Sequence, residues 1–205
     1  MIILRDICKS YDGAVILNHI SMIFPENRMT CLMGESGCGK TTLLHILAGL
    51  IQPDNGTISG ITGKKLSMVF QENRLMKNLT PVRNIELVCR KDPDIRSEII
   101  SALSVVGLRD EDMQKKVSEM SGGMQRRTAI VRAMVAPSDL IIMDEPYKGL
   151  DEDTLFKVKT FVRERSQGKA VLMVTHDILD AEESGVNLIR MPNRGEKQQL
   201  NLQKN

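Results

Sequence analysis

Three glycines, a lysine and a threonine keep a fixed spacing in Gly34-Glu35-Ser36-Gly37-Cys38-Gly39-Lys40-Thr41, a run that satisfies G-x-x-x-x-G-K-[ST]. The glycines let the main chain curl so that successive N–H groups point into one concavity, and a helix starting there adds partial positive charge. Lys40 sets a point charge against the β- and γ-phosphates of a nucleotide, and the Thr41 hydroxyl can take a place on Mg2+. A glycine-rich turn could match the same letters by chance, so the flanks decide. Ahead, Met29 to Met33 is a short apolar run that reads as a buried strand; behind, Thr41 to Leu50 reads as a helix. Strand, loop and helix is the order this chemistry needs.

A second apolar run, Leu140 to Met143, ends in Asp144 and Glu145. A carboxylate at the C-terminal edge of a sheet beside a phosphate loop can hold Mg2+ through water. Its neighbour can act as general base on an attacking water. An acidic strand end facing solvent would look alike, and the phosphate loop tips the balance toward chemistry. Ser121-Gly122-Gly123 opens a helical stretch and could form another anion site. Taken alone it reads more readily as an N-cap with a flexible turn. Two phosphate cradles about 80 residues apart exceed the needs of one nucleotide, so the second is expected to serve a partner's nucleotide.

These groups need elements to hold them. From Met1 to Ile23, two apolar runs flank the turn signal Tyr11-Asp12-Gly13 and read as a strand pair. Pro25 to Asn27 is a second turn, Pro53 to Gly56 closes the helix after the phosphate loop, and short strands follow near Thr57-Ile58 and Ser67 to Phe70. After Gln71 the pattern turns helical. Thr80-Pro81 is a helix start, Asp94 to Val106 has helical spacing and ends at Gly107, and Gly122 to Val135 is closed by Pro137. Then α/β alternation resumes: strands at Leu140 to Met143 and Ala170 to Thr175, helices at Glu152 to Arg165 and Ile178 to Ser184, and a last strand at Val186 to Met191. Near-continuous apolar strands alternating with helices predict a parallel sheet.

Composition narrows the function. The 205 residues are 41% hydrophobic and 26% charged, with net charge +2, an ordinary globular mix that argues against a nucleic-acid partner. Only 3% are aromatic and none is tryptophan, which leaves little for stacking on single-stranded nucleic acid. No apolar run nears the ~18 residues of a membrane span, and the N-terminus reads as a strand rather than a signal peptide. Cys8, Cys31, Cys38 and Cys89 lack metal spacing and read as reduced thiols of a cytoplasmic protein.

Taken in order, these motifs resemble the nucleotide-binding subunit of ATP-binding cassette (ABC) transporters, from about Ile2 to Met191. Gln71 matches the family's lone glutamine, Met120-Ser121-Gly122-Gly123-Met124-Gln125 its signature, Asp144-Glu145-Pro146 its paired carboxylates, Gly149-Leu150-Asp151 the loop after them, and Thr175-His176-Asp177 its switch histidine. Tyr11 stands where the family has an aromatic that stacks on adenine. The resemblance implies one ATPase domain with a P-loop NTPase (RecA-like) α/β core. Residues of about 1–72 and 136–191 would form that core with an antiparallel β subdomain, 73–135 an inserted α-helical subdomain, and 192–205 a polar tail without a regulatory domain. It departs from the family at Met120 and Met124, where Leu and Gln are usual, and at Lys148, where small residues are frequent.

The same resemblance implies roles. Gly34, Glu35, Ser36, Gly37, Cys38, Gly39, Lys40, Thr41 and Thr42 would hold the phosphates of ATP, with Thr41, Gln71 and Asp144 around Mg2+. Glu145 would polarise the water and His176 contact the γ-phosphate. Ser121, Gly122 and Gly123 would reach a partner's ATP in a head-to-tail homodimer, with Asp151 coupling the two sites. Val69 to Leu75 and Asp144 to Asp151 look most like the ATPases of nitrate, sulfonate and taurine importers. The expectation is an ATPase on the cytoplasmic face of the plasma membrane, driving separate integral membrane permease subunits, with a solute-binding protein where the system imports. Export, lipoprotein release or cell division is the alternative within the family. A P-loop kinase would need an acceptor site and lid, and a GTPase an Asn-Lys-x-Asp, which the sequence lacks.

Overall fold

The structure is a computed structural model that describes residues 1–89, 94–176 and 186–197. It opens with a hairpin, β1 (Ile2–Tyr11) and β2 (Ala14–Phe24). Asp12 and Gly13 both take positive φ at its tip, as a tight hairpin turn requires. β4 (Asn55–Ser59) pairs antiparallel with β1 on its other edge, giving a three-stranded sheet in the order β2-β1-β4.

The second sheet has five strands and every pairing in it is parallel. β3 (Met29–Met33), β5 (Leu66–Val69), β6 (Leu140–Asp144), β7 (Ala170–Val174) and β8 (Asn187–Arg190) lie in the order β5-β6-β7-β3-β8. β6 and β7 are buried at every position, which explains their uninterrupted apolar sequence. Successive residues feed different cores. Leu32, Leu140, Ile142, Leu172 and Val174 pack with the hairpin and with α1 (Lys40–Leu47). Cys31, Ile141, Met143, Val171 and Met173 pack on the opposite face with the helices. Each fully buried aliphatic side chain here contributes about 1.5–3 kcal/mol.

Among the described residues from Gln71 to Val135 every regular element is helical: α2 (Pro81–Glu86), α3 (Ile95–Val105), α4 (Asp110–Gln114), a 3-10 turn at Val117–Glu119, and α5 (Gly122–Val135). α6 (Glu152–Arg165) follows β6. Thr80, Ser121 and Asp151 cap α2, α5 and α6, each accepting from the N–H three residues on, so three helix starts follow from local chemistry.

Two details differ from the sequence reading. α1 stops at Leu47 rather than Leu50, because Gly49 takes φ +70 and the N–H groups of Gly49 and Leu50 close onto Ile46 and His45. That pair of bonds is the glycine-ended helix stop. α4 and the 3-10 turn are too short to show a period in the sequence. The helix expected at Ile178 to Ser184, and Asp177, lie outside the described residues. No helix among the described residues is long and apolar enough to cross a membrane.

Candidate phosphate-binding cleft

All strands of the larger sheet run the same way, so their C-terminal ends gather at one edge. The glycine loop leaves β3, Gln71 follows β5, Asp144 and Glu145 end β6, and His176 follows β7. Together they line one cleft of about 570 Å³, within the range of small-molecule sites. Ligands bind at this edge of parallel sheets because loops and helix starts converge there.

The loop's shape is set by close approaches. Gly39 has φ +101, and a Cβ there would lie 2.8 Å from Leu17 Cδ2 on β2. A Cβ on Gly34 would meet Cys38 Sγ at 2.8 Å and Met191 Cβ at 3.2 Å. Within this curl Lys40 is largely buried, and its Nζ donates to the carbonyls of Gly34 and Glu35, each at 2.7 Å. Cys38 is buried under the loop, its Sγ 3.7 Å from Lys40 Nζ.

The loop is tied to β6 directly. The Thr41 hydroxyl donates to Asp144 Oδ2 at 2.9 Å. Asp144 is 2% exposed; burial raises its carboxyl above the ordinary carboxylate range, the Thr41 bond opposes this, and the Glu145 charge adds to it. A buried carboxylate so disfavoured as an anion is suited to a cation. Thr41, Asp144 and Gln71 offer only oxygen donors of the kind Mg2+ prefers. No three His, Cys, Asp or Glu side chains gather to hold a metal among the described residues.

Glu145 is held in a strained backbone, φ +45, at a cost of about 1–3 kcal/mol. Its N–H donates to Val174 O at 2.9 Å. Its carboxylate stands between His176 Nδ1, 3.4 Å from Oε1, and Lys148 Nζ, 3.3 Å from Oε2. Oε2 is buried and forms no hydrogen bond.

Sequence reasoning missed the residue that fastens this edge. Arg126, on α5 and 4% exposed, donates to the carbonyls of Phe70 and Gln71 after β5 and of Asp144, Glu145 and Pro146 after β6. Burial pulls its guanidinium below the ordinary value, while Asp144 and Glu145 pull it back up. It remains a cation. Ile16, Val174 and Lys148 also line the cleft without having been singled out for it.

The expected binding residues divide between the cleft and other places. Gly34, Ser36, Gly37, Gly39, Lys40, Thr41 and Thr42 line the cleft, whereas Glu35 and Cys38 do not. Tyr11 is 45% exposed at the hairpin tip, with Lys9 Nζ 5.4 Å from its ring centroid, and does not line it. Ser121 and Gly122 are exposed at the start of α5, away from the cleft lining. Neither Gly122 nor Gly123 has positive φ, and a Cβ would meet nothing at Gly122 and only Gly149 O, at 3.9 Å, at Gly123. Asp151 is exposed as the cap of α6, and the Thr154 N–H holds its carboxyl below the usual range.

Comparison with known proteins bears on what such an edge is for. A family described as ABC transporter matches residues 17–148. The taurine import ATP-binding protein TauB of Jannaschia sp. (strain CCS1) is 33% identical over 209 residues, covering 93% of this chain and 77% of that protein. The intermembrane phospholipid transport system ATP-binding protein MlaF of Escherichia coli (strain K12) is 33% identical over 196 residues, covering 85% and 72%. Against the sulfate/thiosulfate import ATP-binding protein CysA of Mycobacterium tuberculosis (strain ATCC 25618 / H37Rv), 33% identical, the chain spans 55% of the relative's length. Among solved structures, the dimeric structure of MJ0796, a bacterial ABC transporter cassette, superposes with TM-score 0.82 at 27% identity, covering 96% of this chain and 97% of that one. The same cassette is known bound to ADP and Pi in a post-hydrolysis state.

Proposed function

Since the chain belongs to the ABC transporter family as an ATP-binding subunit, we propose that it hydrolyses ATP in the cleft at the sheet edge to drive a separate permease that imports a small solute. The observation that carries the site is the Thr41–Asp144 hydrogen bond, which joins the phosphate loop to the carboxylate strand with Glu145 next in line. Lys40 and the loop N–H groups bind the β- and γ-phosphates. Thr41, Gln71 and Asp144 hold Mg2+, which supplies positive charge to the phosphate oxygens when bound. Glu145 takes a proton from the attacking water, and His176, beside it, contacts the terminal phosphate.

Ser121, Gly122 and Gly123 act on the ATP of a second copy. In support, their surroundings give the glycines no packing task, and the cassette of similar fold is a dimer. Asp151, capping α6 two residues beyond the Gly149 carbonyl that faces Gly123, couples the two sites across that interface. Tyr11 stacks on adenine once the nucleotide bridges hairpin and loop.

Import is supported by relatives named for import of taurine and of sulfate or thiosulfate. Equal identity to an intermembrane phospholipid ATPase keeps lipid transport as a second reading. On either reading the permease docks on the helical lobe, where Met76, Leu87 and Val88 expose apolar surface. The protein would thus sit on the cytoplasmic face of the membrane.

Purifying the chain from its native membranes in mild detergent tests this. A multi-span permease with a solute-binding protein supports import. A permease with a large extracytoplasmic domain moves the assignment to lipid transport or release, and no membrane partner at all overturns both.

A further inference from the structure

The cleft contains a cation that the phosphate loop does not supply. Lys148 lies three residues beyond Glu145, in a turn closed by its own N–H on the Glu145 carbonyl at 3.3 Å. That turn brings Lys148 Nζ to 3.3 Å from Glu145 Oε2. Because Oε2 has no hydrogen bond, this is charge facing charge without a directional bond. The Lys148 side chain is 60% exposed, and Lys148 lines the same cleft as Lys40, Thr41 and His176. An ammonium on a four-carbon stem, loosely held and open to the cleft, is free to change partner.

We propose that Lys148 rests on Glu145 in the nucleotide-free protein and transfers to the terminal phosphate of ATP, so that arrival of the γ-phosphate uncovers the Glu145 carboxylate. This rests on reading the cleft as the ATP site. The exchange is favourable because a terminal phosphate carries more negative charge than one carboxylate and has three acceptor oxygens. ADP lacks that group and leaves Lys148 on Glu145. The device makes the base available when there is a bond to break. It also gives the lysine a task at a position where a small residue would leave Glu145 permanently uncovered.

The test compares a non-hydrolysable ATP analogue with ADP, both with Mg2+, titrated calorimetrically into the purified full chain. Lys148→Ser is expected to weaken the analogue about tenfold and to leave ADP within about twofold, while Lys148→Arg retains the analogue. The exposed side chain makes misfolding a poor explanation, and thermal unfolding of each variant checks it. Equal weakening of both nucleotides, or of neither, overturns the proposal. A wild-type chain that binds neither nucleotide overturns the cleft reading and this inference together. A wild-type chain that binds both, with Lys148→Ser indistinguishable from it, overturns the inference alone.

Discussion

Arg126 reaches Asp144 through the main-chain carbonyl, at 2.8 Å, and leaves the carboxylate to Thr41. The buried cation is therefore a fastener of backbone, joining the segments after β5 and β6. Removing it strands several buried carbonyls at once. Arg126→Ala should cost at least about 3 kcal/mol in urea unfolding. Arg126→Lys should recover part of that, since one ammonium cannot span five acceptors. A loss under about 1 kcal/mol for the alanine variant would show that the hub holds nothing together.

Asp144 sets a pH dependence whose sign runs against the usual carboxylate. Burial raises its folded pKa above the unfolded value, so the native state binds the extra proton. Stability from this group is greatest at acid pH and falls as pH rises from the ordinary carboxylate range through the raised folded value. Asp144→Asn should therefore make the nucleotide-free protein more stable at pH 7, by about 1 kcal/mol, while abolishing Mg2+-dependent turnover. The gap to wild type should close as pH falls. An Asn variant that is less stable at pH 7, or a gap that ignores pH, contradicts this account.

Glu145→Gln keeps the shape of the side chain and removes its basicity. Turnover should fall about 100-fold or more, with ATP binding retained and an ATP-bound dimer accumulating on size exclusion. Undiminished phosphate release would remove Glu145 from the mechanism.

The glycines separate into two kinds. Gly39→Ala drives a Cβ against Leu17 at φ +101 and should cost about 1–3 kcal/mol of monomer stability as well as nucleotide binding. Gly122→Ala places a methyl in open space at a helix start, and Gly123→Ala places one in ordinary contact with Gly149 O at 3.9 Å. They should leave monomer stability unchanged or raise it by roughly 0–0.5 kcal/mol, yet still lower ATP-dependent dimerisation and turnover. Monomer destabilisation at Gly122 would mean that its glycine serves the fold after all.

Much of the architecture was legible because its signals are local. Thr80-Pro81, Ser121 and Asp151 announce helix starts by cap chemistry, and the apolar runs at β3, β6 and β7 have nowhere to go but a buried sheet. The stop at Gly49 was equally local and was overlooked in favour of the apolar letters around it. Arg126 left a fainter trace: it shares the buried face of α5 with Ala129, Ile130 and Ala133, and a charge on such a face must have partners. Ile16 left none, since it reaches the loop from β2, where its side chain and carbonyl close against Gly39. Lys148 was visible as a residue out of place, and the distance to Glu145 was needed to give it meaning.

β3 lies between β7 and β8, pairing Met29 with Val171 and Thr30 with Asn187, so its neighbours are synthesised roughly 140 residues later. At 5–20 residues per second, a ribosome needs on the order of ten seconds to deliver them. During that interval the strand ahead of the phosphate loop has neither of its sheet partners, and the loop has no fixed base. Gripping a nucleotide is thus among the last abilities the nascent chain acquires, and fragments released early cannot draw on the cell's ATP.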